Sequence, residues 1–131
     1  MKNIHVVAAI IMKNNKVLCA QRGDNKYEYI SRKFEFPGGK IETGESDEEA
    51  LKREIYEELS INIQEVKFYT TIKHQYPDFH LTISAYKCKC KNSQVRLSEH
   101  IDFKWLRTNE LSTLDWLESD IPIINKLKLT G

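Results

Sequence analysis

No stretch of this 131-residue chain approaches the roughly 20 apolar residues of a membrane-spanning helix. Val6 to Met12 is apolar but lacks the flanks and cleavage site of a signal peptide, and it reads as a buried strand. Neither sign of charge dominates: 20 Lys and Arg against 19 Asp and Glu leave a formal charge of +1. Nothing therefore draws the chain to a nucleic-acid polymer or an anionic membrane. Cysteine is scarce and odd in number. Cys19, Cys88 and Cys90 have no zinc-type spacing and read as ordinary thiols of a reducing cytosol. Five glycines and three prolines form no linker or low-complexity tract, and no segment repeats. What remains is one domain, 1–131, long enough for a full core and expected to be cytoplasmic.

The charge is patterned even though it is balanced. Acids crowd into 42–58, and lysines gather at 87–91 and 126–128. Strands are expected at His5 to Met12 and Lys16 to Gln21, with Asn14-Asn15 as the turn between them. The polar stretch 22–33 reads as an exposed loop, and Phe34-Glu35-Phe36 and Lys40 to Glu42 as short extended pieces. From Ser46 the period changes to helical. Ala50, Leu51, Ile55 and Leu59 form the apolar stripe, with Ser46 or Asp47 as N-cap. Val66 to Tyr76, Phe79 to Cys90 and Ile101 to Leu106 read as strands, and Pro122 to Leu129 as a closing helix. The fold class expected is α+β, an α/β/α sandwich with a mixed sheet between helices.

The informative run is GKIETGESDEEALKREIYEELSI, from Gly39 to Ile61. Glu54, Glu57 and Glu58 lie three and four residues apart, so their carboxylates are expected to converge on one helix face. Like charges at that spacing repel, and acids in a last turn oppose the helix dipole by roughly 0.3–1 kcal/mol each. A hard divalent cation fits such an all-oxygen cluster. The competing explanation is a solvated face of ion pairs, Glu48–Lys52, Glu49–Arg53 and Arg53–Glu57. What precedes the helix favours the metal. Pro37-Gly38-Gly39-Lys40 is a turn where bare backbone can approach a ligand, with a lysine beside it.

These residues resemble the Nudix box. Gly39, Glu45, Arg53, Glu54, Ile55, Glu57, Glu58 and Ile61 sit at its spacing, and only the terminal glycine departs, as Ser60. Serine there is expected to cost some stability without removing a chemical group. Phe34 to Glu42, Tyr76-Pro77-Asp78-Phe79-His80 and Ser119-Asp120-Ile121-Pro122 resemble the MutT-like branch. The resemblance implies hydrolysis of nucleoside triphosphates to monophosphate and pyrophosphate by water attacking the β-phosphorus, with 8-oxo-dGTP as the favoured substrate. It implies Mg2+, or Mn2+ in its place, held by Glu54, Glu57, Glu58, Glu99 and the Gly38 carbonyl. Glu54 is a further ligand or the base for water, Arg53 locks the helix carboxylates, and Glu57 and Glu99 share the catalytic set. Arg22, Glu35, Lys40, His80 and Asp120 are implied on the substrate side. The expected partner is a small-molecule nucleotide, and the chain a monomer or homodimer.

Two alternatives accompany this reading. A CTP or modified-dCTP pyrophosphohydrolase would suit Asp120, because an ionised carboxylate accepts from a cytosine amino group. A non-catalytic nucleotide-sensing module is the other, disfavoured because every box glutamate is present. Read from the residues alone, Asp120 favours a plainer role, the N-cap of the Pro122 helix.

Overall fold

A computed structural model describes residues 1–92 and 94–130. The strands are β1 (Lys2–Lys13), β2 (Lys16–Gln21), β3 (Phe34–Glu35), β4 (Gly38–Lys40), β5 (Ile63–Tyr76), β6 (Phe79–Cys90) and β7 (Asp102–Leu106). The helices are α1 (Asp47–Leu59) and α2 (Ile121–Thr130). All the strands join one mixed sheet, in which β1 runs parallel to β6 and antiparallel to β2 and β4.

The apolar run of β1 follows from its central place. Val7, Ala9 and Ile11 pack under α1 on Ala50, Leu51, Ile55 and Leu59. Ala8 and Ile10 face the other way, onto Ile123, Ile124 and Leu127 of α2. A strand covered on both faces reads as a continuous hydrophobic run, and alternation is lost. The result is the expected α/β/α sandwich.

The turn at Asn14-Asn15 has φ of 51° and 63°, the left-handed pair that a tight hairpin requires and asparagine tolerates. Ser46 caps α1: its side chain accepts from Glu49 N–H, and the Glu49 carboxylate accepts from Ser46 N–H at 2.9 Å. That capping box uses up Glu49, so the expected Glu49–Arg53 pair does not form. Glu48–Lys52 does form, at 3.0 Å.

Ser60 ends α1 at φ 58°, ψ 33°, the left-handed conformation of the glycine it replaces. An L-residue there carries a Cβ penalty. Ser60→Gly is therefore expected to raise stability by about 1 kcal/mol, read from denaturant unfolding.

Some boundaries move. β5 starts at Ile63, before the expected Val66, because register shifts between Gln64 and Lys67 and between Phe68 and Thr70 break its alternation. β4 lies at Gly38–Lys40, before the expected Lys40 to Glu42. Short 3-10 turns at Thr108–Thr113 and Glu118–Asp120, unforeseen in the sequence, bring Trp116 beside Phe34 and lead into α2. Among the described residues no helix is long and apolar enough to cross a membrane. Burial pushes the Cys19 and Cys88 thiols up to about 12, as for inert core groups.

Candidate active site

Two cavities adjoin at one end of the sheet, and Arg22 and Glu35 line both. The first is about 230 Å³ and mostly apolar, with Val6, Ala8, Phe79, Leu81 and Leu117 among its walls. Lys40, Ser119 and Asp120 supply polar groups there. The second is about 350 Å³ and polar, bounded by Arg22, Asp24, Asn25, Glu35, Glu58, Glu99 and His100.

Alternation along β6 decides which hairpin residues reach the first cavity. Phe79, Leu81 and Ile83 turn toward it, whereas His80 is exposed and is absent from its lining. His80 is thus not brought to the site, contrary to the sequence expectation. Lys40 is exposed and lines the cavity.

Asp120 is not a helix cap. It is 4% exposed, and its Oδ2 accepts from the Phe36 N–H at 2.9 Å across 84 residues of sequence. Burial, with Glu35 nearby, raises its carboxyl from 3.8 to about 7.

Arg53 organises the box. Its Nε and Nη2 donate to both Glu45 oxygens, at 2.7 and 2.9 Å. Nη2 also reaches the Lys40 carbonyl at 3.1 Å, and Nη1 donates to Glu54 at 2.9 Å and Glu57 at 3.4 Å. The bidentate bond from Arg53, then the Glu42 backbone, hold the Glu45 carboxyl down at about 2. Glu45 was legible as a fixed position of the motif, but nothing local named its partner.

The three helix carboxylates do not converge as expected. Successive residues turn by roughly 100°, so Glu57 and Glu58 lie on either side of Glu54. Glu57 is largely exposed beside Arg53. Glu54 packs on Gly39, where an added Cβ would lie 2.4 Å from its carboxyl carbon. Only Glu58 enters the polar cavity, with Glu99 across from it on the loop before β7. The Gly38 backbone lies near the Glu58 carboxylate. Any Cβ at Gly38 would meet the Val7 carbonyl oxygen at 1.9 Å.

Among the described residues no three His, Cys, Asp or Glu side chains are grouped closely enough to hold a metal ion as they stand. The donor set nevertheless fits a cation. Glu58 Oε1 is buried with no partner, and burial together with Glu35 and Glu54 raises its carboxyl from 4.5 to about 8. A divalent ion would relieve both the missing partner and the repulsion.

His100, for which the sequence offers no partner, holds Glu35. Its Nε2 lies 2.8 Å from Glu35 Oε2, while Arg22 Nη1 donates to Glu35 Oε1 at 3.1 Å. The 22–33 loop is also less free than expected. Tyr29 stacks on Tyr27 and on Tyr76, its hydroxyl bonds Asp78, and Ile30 lines the apolar cavity.

A mostly apolar cavity beside a polar one rich in carboxylates, with an arginine lining both, suits an α/β/α enzyme that cleaves phosphate-linked substrates. The NUDIX domain matches residues 6–126, and the chain belongs to that family, in its MutT-like branch. It is 30% identical over 129 residues to the 8-oxo-dGTP diphosphatase of Escherichia coli, covering 98% of each chain. It is 32% identical to the CTP pyrophosphohydrolase of the same organism over 124 residues, 95% of this chain and 90% of that one. A solution structure of MutT from methicillin-resistant Staphylococcus aureus superposes with a TM-score of 0.69 at 37% identity, covering all of both chains. The chain is thus a Nudix hydrolase, an enzyme of phosphorus anhydrides acting on a small nucleotide with a divalent metal.

Proposed function

We propose that this hydrolase converts nucleoside triphosphates to monophosphate and pyrophosphate, preferring oxidised purine nucleotides such as 8-oxo-dGTP, with Mg2+ as its ion. The observation that carries the reading is the pair of adjoining cavities sharing Arg22 and Glu35. The base enters the apolar one, between the Phe79 and Leu81 side and Leu117, and meets Asp120 at its polar edge. The phosphates lie toward Arg22 and Lys40. Glu58 holds the cation, with Glu99 in the same cavity, Glu54 beside Glu58 and the Gly38 carbonyl completing its surroundings, while Glu57 stands outside against Arg53. A divalent ion bound there neutralises the phosphates and lowers the pKa of a water. Arg53 fixes Glu54 and Glu45, and His100 fixes Glu35.

A cytosine substrate is the second reading, favoured by the 32% identity to a CTP pyrophosphohydrolase and by an acceptor at Asp120. Assaying 8-oxo-dGTP, dGTP and CTP with Mg2+, and separating pyrophosphate from phosphate release, decides between them. Release of phosphate alone would remove the proposed cleavage.

Asp120 variants sharpen the test. Asp120→Ala leaves the Phe36 N–H unpaired in a buried wall, costing about 1–3 kcal/mol of stability. It should also lower kcat/KM for the preferred nucleotide far more than for poor ones. Asp120→Asn keeps an acceptor and adds a donor, so the ranking of bases should change. Parallel changes across all three nucleotides would take Asp120 out of base recognition.

A further inference from the structure

Tyr76 and Ser119 meet behind Asp120 from distant parts of the chain, one ending β5 and the other in the 3-10 turn before α2. They are 3% and 0% exposed. Their hydroxyls form a directed chain. Ser119 N–H donates to Tyr76 Oη at 3.0 Å, and the Tyr76 hydroxyl donates to Ser119 Oγ at 2.9 Å. The Ser119 proton goes on to Asp120 Oδ1 at 3.3 Å, while Phe36 N–H occupies Oδ2. Each oxygen of the buried carboxyl therefore has its own protein donor, and its plane is fixed.

Packing does not call for these hydroxyls. The Tyr76 ring stacks on Tyr29 at 5.1 Å and lies against His74 and Phe79, contacts that phenylalanine makes equally well. Alanine fills the place of Ser119. Polar groups sealed in an apolar wall are a liability unless each one is satisfied, and a fully satisfied set specifies one arrangement. All three residues line the apolar cavity.

We propose that Tyr76 and Ser119 are positioning residues for base selection: their hydroxyl chain holds Asp120 as a hydrogen-bond acceptor, favouring bases that present N–H donors at that edge. The inference rests on the apolar cavity being the base site. Their hydroxyls are engaged with each other and with Asp120, so their influence passes through Asp120.

Base pairs of matched shape test it. Guanine carries an N2 amino group that hypoxanthine lacks, and cytosine an N4 amino group where uracil has an oxygen. The wild-type ratio of kcat/KM for dGTP over dITP, or for dCTP over dUTP, should be about tenfold or more. Tyr76→Phe and Ser119→Ala should each shrink that ratio roughly three- to tenfold, mainly through KM. The double variant should be little worse than either, since both break one chain. Near-UV circular dichroism reports whether each variant keeps its packing, and Tyr76→Phe, which retains the ring, is the main arm. Equal losses for both members of a pair, or an additive double variant, would overturn the proposal.

Calorimetric binding of dGMP and dIMP separates this idea from the proposed activity. If wild type hydrolyses no triphosphate but the variants lose selective dGMP binding, the activity fails and the positioning role stands. If wild type hydrolyses triphosphates while the ratios in Tyr76→Phe and Ser119→Ala match it, the positioning role fails alone.

Discussion

Glu58→Gln is expected to cut turnover by roughly 10²–10³-fold at saturating Mg2+ while leaving the fold intact, the scale of losing one charge-stabilising group in an active site. Glutamine has the shape of the neutral acid, and the neutral acid is what burial favours here. The carboxyl rises from 4.5 to about 8 because it is buried and faces Glu35 and Glu54. In metal-free protein its ionisation therefore works against folding as pH climbs above 4.5, and the cost is complete once pH passes 8. The variant should match wild type near pH 4 and exceed it increasingly toward pH 8, by on the order of 3 kcal/mol at pH 7. Adding Mg2+ should stabilise wild type and not the variant. Thermal melts at pH 5 and 8, with and without Mg2+, read both effects. Wild-type turnover by Glu58→Gln would remove this carboxylate from the site.

Arg53→Lys is expected to lower kcat by about 10–100-fold, as when a residue that orients metal ligands is lost. The charge survives, but a single ammonium cannot reach Glu45 twice while also holding Glu54 and the Lys40 carbonyl. The same bonds tie the 40–45 turn to α1, so the melting temperature should fall as well. A surface ion pair would give neither result. If lysine supports full activity, Arg53 has no orienting role.

The elements that the sequence made legible are those whose signals are local. The apolar stripe Ala50, Leu51, Ile55 and Leu59, the Ser46 cap and the Asn14-Asn15 turn each depend on neighbours within one turn of chain. The box glutamates were legible for another reason: the motif fixes their spacing. What the sequence hid is long-range. Asp120 bonds Phe36 across 84 residues and His100 bonds Glu35 across 65, and no periodicity reports such a meeting. The convergence expected of Glu54, Glu57 and Glu58 failed on a subtler point. Spacings of three and four both place residues near one face, but on opposite sides of the first residue, and Arg53 claims two of the three. His80 was misplaced because one residue of strand register exchanges the faces of the sheet. The tyrosines of the 22–33 loop looked like polar-loop residues, and only the tertiary stack gives them a surface to cover.

The central sheet works as a partition. Glu58 and Arg53 belong to α1 on one side, whereas Asp120, Ser119 and Leu117 lead into α2 on the other. Among the described residues only Arg22 and Glu35 border both compartments. On the proposed reading, a lineage of such proteins can therefore change which base it accepts through the segment before α2 and the β5–β6 hairpin, without disturbing the carboxylates of α1. Selection in the laboratory for a new nucleotide should accumulate its substitutions on that side. Changes at Arg22 or Glu35 should be rare, since each one alters diet and digestion together.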